Sequence, residues 1–343
     1  MNRETQGSQL PPSAVETVYF LILSGGAFRG AFQYWVIVHL LVLHTYAAIY
    51  GVSVGSVNGI MAAMRKLDTL FEFWDQMTGT RDFLHFRLFY TLAWVLGIIE
   101  LINWLGGKIV GGFFSLTPLV KKLKANVRLD EVQTPFVAGV VAANSGNYHN
   151  FDTRDMKDDQ RAVDLVQASS CMVPIMQPPL LNLEEDAEPE LGIDGGYRHI
   201  FPLPEAEAAK ARAEGKRVVI HAIGCTPMER IHWAPSKNLF GPLEMAVRGV
   251  DILEAEVYES DVLQLRKVAG EGGEVHLWVP HPLTEEELEE ELRELAGTGL
   301  TPIDIPGSSF DASRNTIQGR LRESKRMVTR GPIIYPGLGA NDA

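Results

Sequence analysis

An α/β fold with a mainly parallel central sheet, helices on both faces and one apolar helical insertion is predicted by three observations. Apolar strand-like runs alternate with helical stretches; the opening reads strand, helix, strand, helix; and sharp glycine turns follow the first two strands. With 343 residues and 46% hydrophobic content, the chain can bury a large core.

The first strand is the aromatic and branched run from Thr17 and Val18 to Leu23, which stops at Ser24-Gly25-Gly26. Ala31 to Leu43 is broken only by Gln33 and His39, as suits a helix buried in a layered fold. Ala47 to Tyr50 reads as the second strand, Gly51 to Gly55 as a sharp turn and Ser56 to Met64 as the second helix. Later strands are expected at Phe136–Ala142, Leu180–Leu183, Arg217–Ile223 and Val275–Val279, and helices at Asp164–Ser170 and Leu243–Leu263. The Glu-rich stretch Thr284 to Leu295 and the basic stretch Ser313 to Arg330 each read as a solvated helix.

Residues 1–16 read as a flexible polar tail without a basic-then-apolar leader pattern, residues 17–335 as one catalytic domain, and 336–343 as a second tail. Within the domain, 75–130 is set apart as a helical cap or membrane-facing insertion. Leu88 to Ile99 carries no charge, and the run continues to Trp104 with Glu100 interrupting it, too short to span a bilayer comfortably. Between Arg81 and Arg128 there are seven basic residues against two acidic. Two readings stand side by side: a lid that meets lipid through 83–113, and an ordinary buried helical insertion.

A net charge of -12 excludes the clustered basic surface of a nucleic-acid binder. The two cysteines, Cys171 and Cys225, form no CxxC pair and no metal-ligand cluster, so they read as buried thiols of a reducing compartment. The expected location is cytoplasmic, with peripheral membrane contact.

Gly51-Val52-Ser53-Val54-Gly55 has the G-x-S-x-G form of a nucleophile elbow, in which a strand turns abruptly into a helix and lifts a serine hydroxyl above the sheet edge. Its placement between an expected strand and an expected helix gives the short motif its weight. At the preceding strand-to-helix turn, Gly25-Gly26-Ala27-Phe28-Arg29-Gly30 offers backbone N–H groups at a helix N-terminus, suited to an oxyanion or a phosphate. A dinucleotide fingerprint is excluded because the glycine spacing differs and Tyr46 to Ile49 holds no acid. Ile193-Asp194-Gly195-Gly196 puts a carboxylate at a tight turn, which alone is an ordinary Asp-Gly turn and together with the other two elements is a base.

These three motifs, in this order, resemble the patatin-like phospholipase family, and the block Ala168 to Pro174 with Pro178-Pro179 is similar to a stretch that such proteins carry before the aspartate. The resemblance runs from Val18 to about Ile223. It implies a three-layer patatin-like fold and a lipid acyl ester as substrate. It further implies a Ser–Asp dyad with Ser53 as nucleophile and Asp194 as base, oxyanion donors in Gly25, Gly26, Ala27 and Phe28, and no metal or other cofactor. Arg29, Gly30, Gly51, Gly55, Gly195 and Gly196 support that arrangement. One position departs from the family pattern: Ala27 stands where a third glycine is usual, and a positive φ there would carry strain. Arg29 is expected to order the loop rather than touch a substrate phosphate. Two alternatives stay open. One is an α/β-hydrolase with a Ser-Asp-His triad drawing on His199, His221, His232, His276 or His281; the other is a non-catalytic lipid-binding relative.

Overall fold

The computed structural model describes residues 15–96, 98, 111–184, 188–227, 242–302 and 311–339. The strand β1 (Thr17–Leu23) leads through a 3-10 turn at Ala27–Phe32 into α1 (Gln33–Leu43); β2 (Ala48–Gly51) leads into α2 (Val54–Ala63) and α3 (Leu67–Asp75). Next come β3 (His85–Phe86), α4 (Leu88–Val95), β4 (Phe114–Ser115) and α5 (Thr117–Asn126). Then follow β5 (Phe136–Ala142), β6 (Tyr148–Asp152), α6 (Asp159–Ser169), β7 (Leu180–Leu181) and β8 (Glu190–Asp194). The chain continues through α7 (Glu205–Ala213), β9 (Arg217–Ile223), α8 (Pro242–Ala269), β10 (Glu274–Trp278), α9 (Glu285–Leu295), α10 (Arg314–Arg330) and β11 (Ile333–Pro336).

The main sheet runs β11-β10-β9-β1-β2-β5-β8-β7, with β6 also on β5. Five consecutive strands, β10-β9-β1-β2-β5, are parallel. The expected parallel sheet is therefore its centre, and β11, β6, β8 and β7 join antiparallel at the edges.

Strand β1 reads as an unbroken apolar run because both of its faces are covered. Leu21 and Leu23 pack into the core beneath α1 and α2, while Phe20 and Ile22 pack into the second core with Ala208 of α7 and Leu265 of α8. Alternation along a central strand thus divides one sequence between two layers.

Several boundaries differ from expectation. The turn after β1 tightens into a 3-10 helix before α1, and α2 begins at Val54 rather than Ser56. The strand expected to end at Leu183 stops at Leu181, and Glu190–Asp194 forms a strand where only a turn was read. The acidic and basic stretches are not both simply solvated. Glu291 of α9 accepts from Arg322 Nε and Arg326 Nη1 of α10, each at 2.8 Å. The other face of α10 is buried, where the Ser324 hydroxyl accepts from the N–H groups of Trp35 and Val36.

Within the apolar insertion, α4 turns large apolar side chains to the surface. On α4, Leu88, Phe89, Leu92 and Trp94 are exposed, Phe89 at 71%, while Ala93 is buried. That face of α4 is therefore not covered by the rest of the described residues. Residues 97 and 99–110, with Glu100, Trp104 and Lys108, lie outside the described residues.

Away from these elements, His221 of β9 is 1% exposed, with its Nδ1 2.6 Å from Tyr46 Oη and the rings of His44 and His276 beside it. Burial first, then His276 and His44, push its pKa down from 6.5 to about 3. A depressed histidine contributes stability that is present above its unfolded pKa and lost as pH falls toward the folded one. We expect about 2 kcal/mol less unfolding free energy at pH 5 than at pH 7 from this group. Urea titrations at both pH values should show the loss, and His221→Gln should shrink it; an unchanged pH slope in that variant would refute the assignment.

Candidate active site

The two predicted turns meet because β1 and β2 are adjacent parallel strands, with Leu23 opposite Gly51. Both release the chain at the same end of the sheet, as parallel strands must.

At the first turn Gly26 has φ 146° and Ala27 φ 47°, so the strain expected at Ala27 is realised in an alanine. Two consecutive positive φ values turn successive N–H groups toward one side. Among the described residues, the N–H groups of Gly26, Ala27 and Phe28 donate to no backbone acceptor, while Arg29 N–H closes the turn on the Gly26 carbonyl at 3.0 Å. Gly25 packs against Ser53, where an added Cβ would lie 3.1 Å from the serine's own. Arg29 is 2% exposed, with Nη1 3.3 Å from Thr226 Oγ1, so it sits under the loop and braces it.

The second turn places Ser53 at φ 53°, ψ −129°, the strained conformation of an elbow, directly ahead of α2. Its backbone is tied from three directions: Ser53 N–H donates to Ser169 Oγ at 3.0 Å, and its carbonyl accepts from Ser56 Oγ at 2.6 Å and Ser170 Oγ at 3.1 Å. Two glycines permit the geometry. A Cβ on Gly51 would come within 2.3 Å of the Gly55 carbonyl oxygen, and one on Gly55 within 2.3 Å of the Leu23 oxygen.

Asp194 ends β8 and is brought to the elbow by antiparallel pairing with Val140 of β5. Its carboxylate accepts from the Gly196 N–H at 2.8 Å, and Gly195 accepts from the Arg198 and His199 N–H groups to complete the turn. The carboxyl is 5% exposed, and burial raises its pKa from 3.8 to about 6; hydrogen bonds from the Ser53 side chain and the Gly196 N–H oppose that rise.

Ala27, Phe28, Ser53 and Asp194 line one narrow cleft of about 20 Å³, closed by Phe83, Ser170, Met172 and Met176. Among the described residues no histidine lines it. His199 is held by Asp261, His221 by Tyr46 and His276 by Glu274, while His232 lies outside the described residues.

A buried network fastens the two turns together. Asn58 of α2 donates to the Gly30 carbonyl and to Gln33 Oε1 and accepts from Trp74 Nε1, while Gln33 donates to the Ser24 carbonyl. The sequence did carry a signal here, an asparagine in the apolar run Val57 to Ala63. Ser169 and Ser170 fell within a recognised block, but their bonds to Ser53 were not foreseeable, and nothing local marks Phe83.

A family model described as "Patatin-like phospholipase" matches residues 21–207, more than half of the chain. None of the curated proteins matches it. Among solved structures, VipD from Legionella pneumophila is similar at a TM-score of 0.36 and 12% identity, over 94% of this chain and 69% of that one.

Proposed function

The chain belongs to the patatin-like phospholipase family, and from that premise we propose that it hydrolyses lipid acyl esters through a Ser53–Asp194 dyad, without a metal. The observation that carries this reading is the meeting of a strained serine, a buried carboxyl of raised pKa and a positive-φ amide loop in one cleft.

Ser53 Oγ attacks the ester carbonyl while Asp194 accepts its proton, and the oxyanion is held by the Gly25 to Phe28 amides. The positive end of α2 favours the same charge. Collapse of the tetrahedral species releases the alcohol, which takes the proton from Asp194, and water repeats the sequence to free the fatty acid. The placement of the described histidines away from the cleft favours a dyad over a triad. The test is fatty-acid release from phospholipid vesicles and from a soluble short-chain ester, with chelator present. Both activities should vanish in Ser53→Ala, and release that persists there, or that requires calcium, would refute the scheme.

We further propose that α4 docks on the lipid surface. Phe86 meets Phe114 edge-on at 5.6 Å, and Phe114 N–H bonds the Ile175 carbonyl beside the cleft residue Met176, so the apolar face stands at the rim of the site. Replacing both Phe89 and Leu92 by Asp should lower vesicle binding at least tenfold and leave hydrolysis of the soluble ester intact. Equal sedimentation of both proteins with vesicles would disprove docking through this helix.

A further inference from the structure

A second, roomier cleft of about 180 Å³ opens on the far side of Phe83, floored by Val57, Met61, Leu70, Phe73 and Leu123. Its lip is polar, with Thr69, Gln76, Lys122 and Asn126, and Lys122 Nζ stands 4.7 Å above the Phe73 ring. The two clefts follow one another along a single face of α2. Val54 lines the catalytic cleft and Val57 and Met61 the second, positions i, i+3 and i+7 of one stripe about 10 Å long. What divides them is aromatic: the Phe83 ring meets Phe28 edge-on at 5.4 Å on the catalytic side and Phe73 at 6.0 Å on the other.

The catalytic cleft, with about 20 Å³ of open space, falls far below the usual range for small-molecule sites and has no room for an acyl chain beside the ester. We propose that the second cleft is an acyl-chain subsite, entered from Ser53 when the Phe83 side chain swings aside, so that Phe83 governs which fatty-acyl lengths are accepted. This rests on the ester-hydrolase reading above. Phe83 belongs to the short segment between the 3-10 turn at Thr80–Asp82 and β3, where rotation of one ring requires no movement of the sheet. The floor is the apolar surface that methylenes seek, and each methylene reaching it should raise kcat/KM about three- to fourfold.

The experiment compares acetyl, octanoyl and palmitoyl esters of p-nitrophenol as substrates and, separately, measures palmitate binding by calorimetry in the Ser53→Ala background. Thr69→Trp and Gln76→Trp fill the second cleft from its half-exposed and exposed lip, and circular dichroism confirms their folding. Both should leave acetyl-ester hydrolysis unchanged, lower the palmitoyl-to-acetyl ratio at least tenfold and weaken palmitate binding to match; Phe83→Ala should raise that ratio. An unchanged ratio with unchanged palmitate binding in both tryptophan variants overturns the subsite. A protein that cleaves no ester but loses palmitate binding in those variants keeps the subsite and refutes the hydrolase reading.

Discussion

Asp194→Asn is expected to reduce hydrolysis about 10⁴-fold or more while making the protein more stable at neutral pH. The activity loss follows because asparagine cannot take the Ser53 proton, although it fills the same space and still accepts from the Gly196 N–H. The stability gain follows from linkage. A carboxyl whose folded pKa is raised favours folding fully below its unfolded value, and that contribution is lost as pH rises through the folded one. A rise from 3.8 to about 6 corresponds to about 3 kcal/mol of burial penalty carried by the ionised group at pH 7. Removing the charge removes the penalty, so urea midpoints of the variant should exceed those of the wild type at pH 7 and converge with them near pH 4. In the wild type, kcat/KM should climb tenfold per pH step below about 6 and level off above it. A variant no more stable than the wild type at pH 7 would mean that Asp194 is not the buried charged base described.

The second large effect concerns backbone contact. Gly55→Ala should fail to fold or lose more than about 4 kcal/mol, because its Cβ would lie 2.3 Å from the Leu23 oxygen and 2.6 Å from the Ser24 oxygen. Those oxygens belong to the end of the central strand, and no side-chain rotation relieves the clash; α2 itself would have to lift away. Expression and thermal unfolding provide the readout, and a soluble variant within about 1 kcal/mol of the wild type would show that α2 is less tightly seated than its contacts indicate.

Much of this site was legible because its devices are local. The elbow, the loop of small residues and the Asp-Gly turn each sit where a strand ends, and chain ends of adjacent parallel strands converge without long-range information. Strand β8 was missed because Glu190-Leu-Gly-Ile-Asp194 is short and mixed, and it pairs only through β5 and β7. The complementary pairing of α9 with α10 was missed because each helix, read alone, has the charge pattern of a solvent-facing surface. Phe83 owes its place between two clefts to packing contacts with residues ten and fifty-five positions earlier, Phe73 and Phe28, which no periodicity encodes.

Strand β1 is flanked by β2 on one side and β9 on the other, and β9 lies beyond residue 207, where the family match ends. Cutting the chain there would strip the strand that leads into the Gly25–Gly30 loop of its seven-residue parallel partner, exposing a hydrogen-bonding edge and a bare apolar face to other chains. The loop would also lose Thr226, and α1 behind it would lose its anchor to Ser324 of α10. The stretch that holds all three motifs therefore depends on the residues after it for the edge of its central strand and for half of its core.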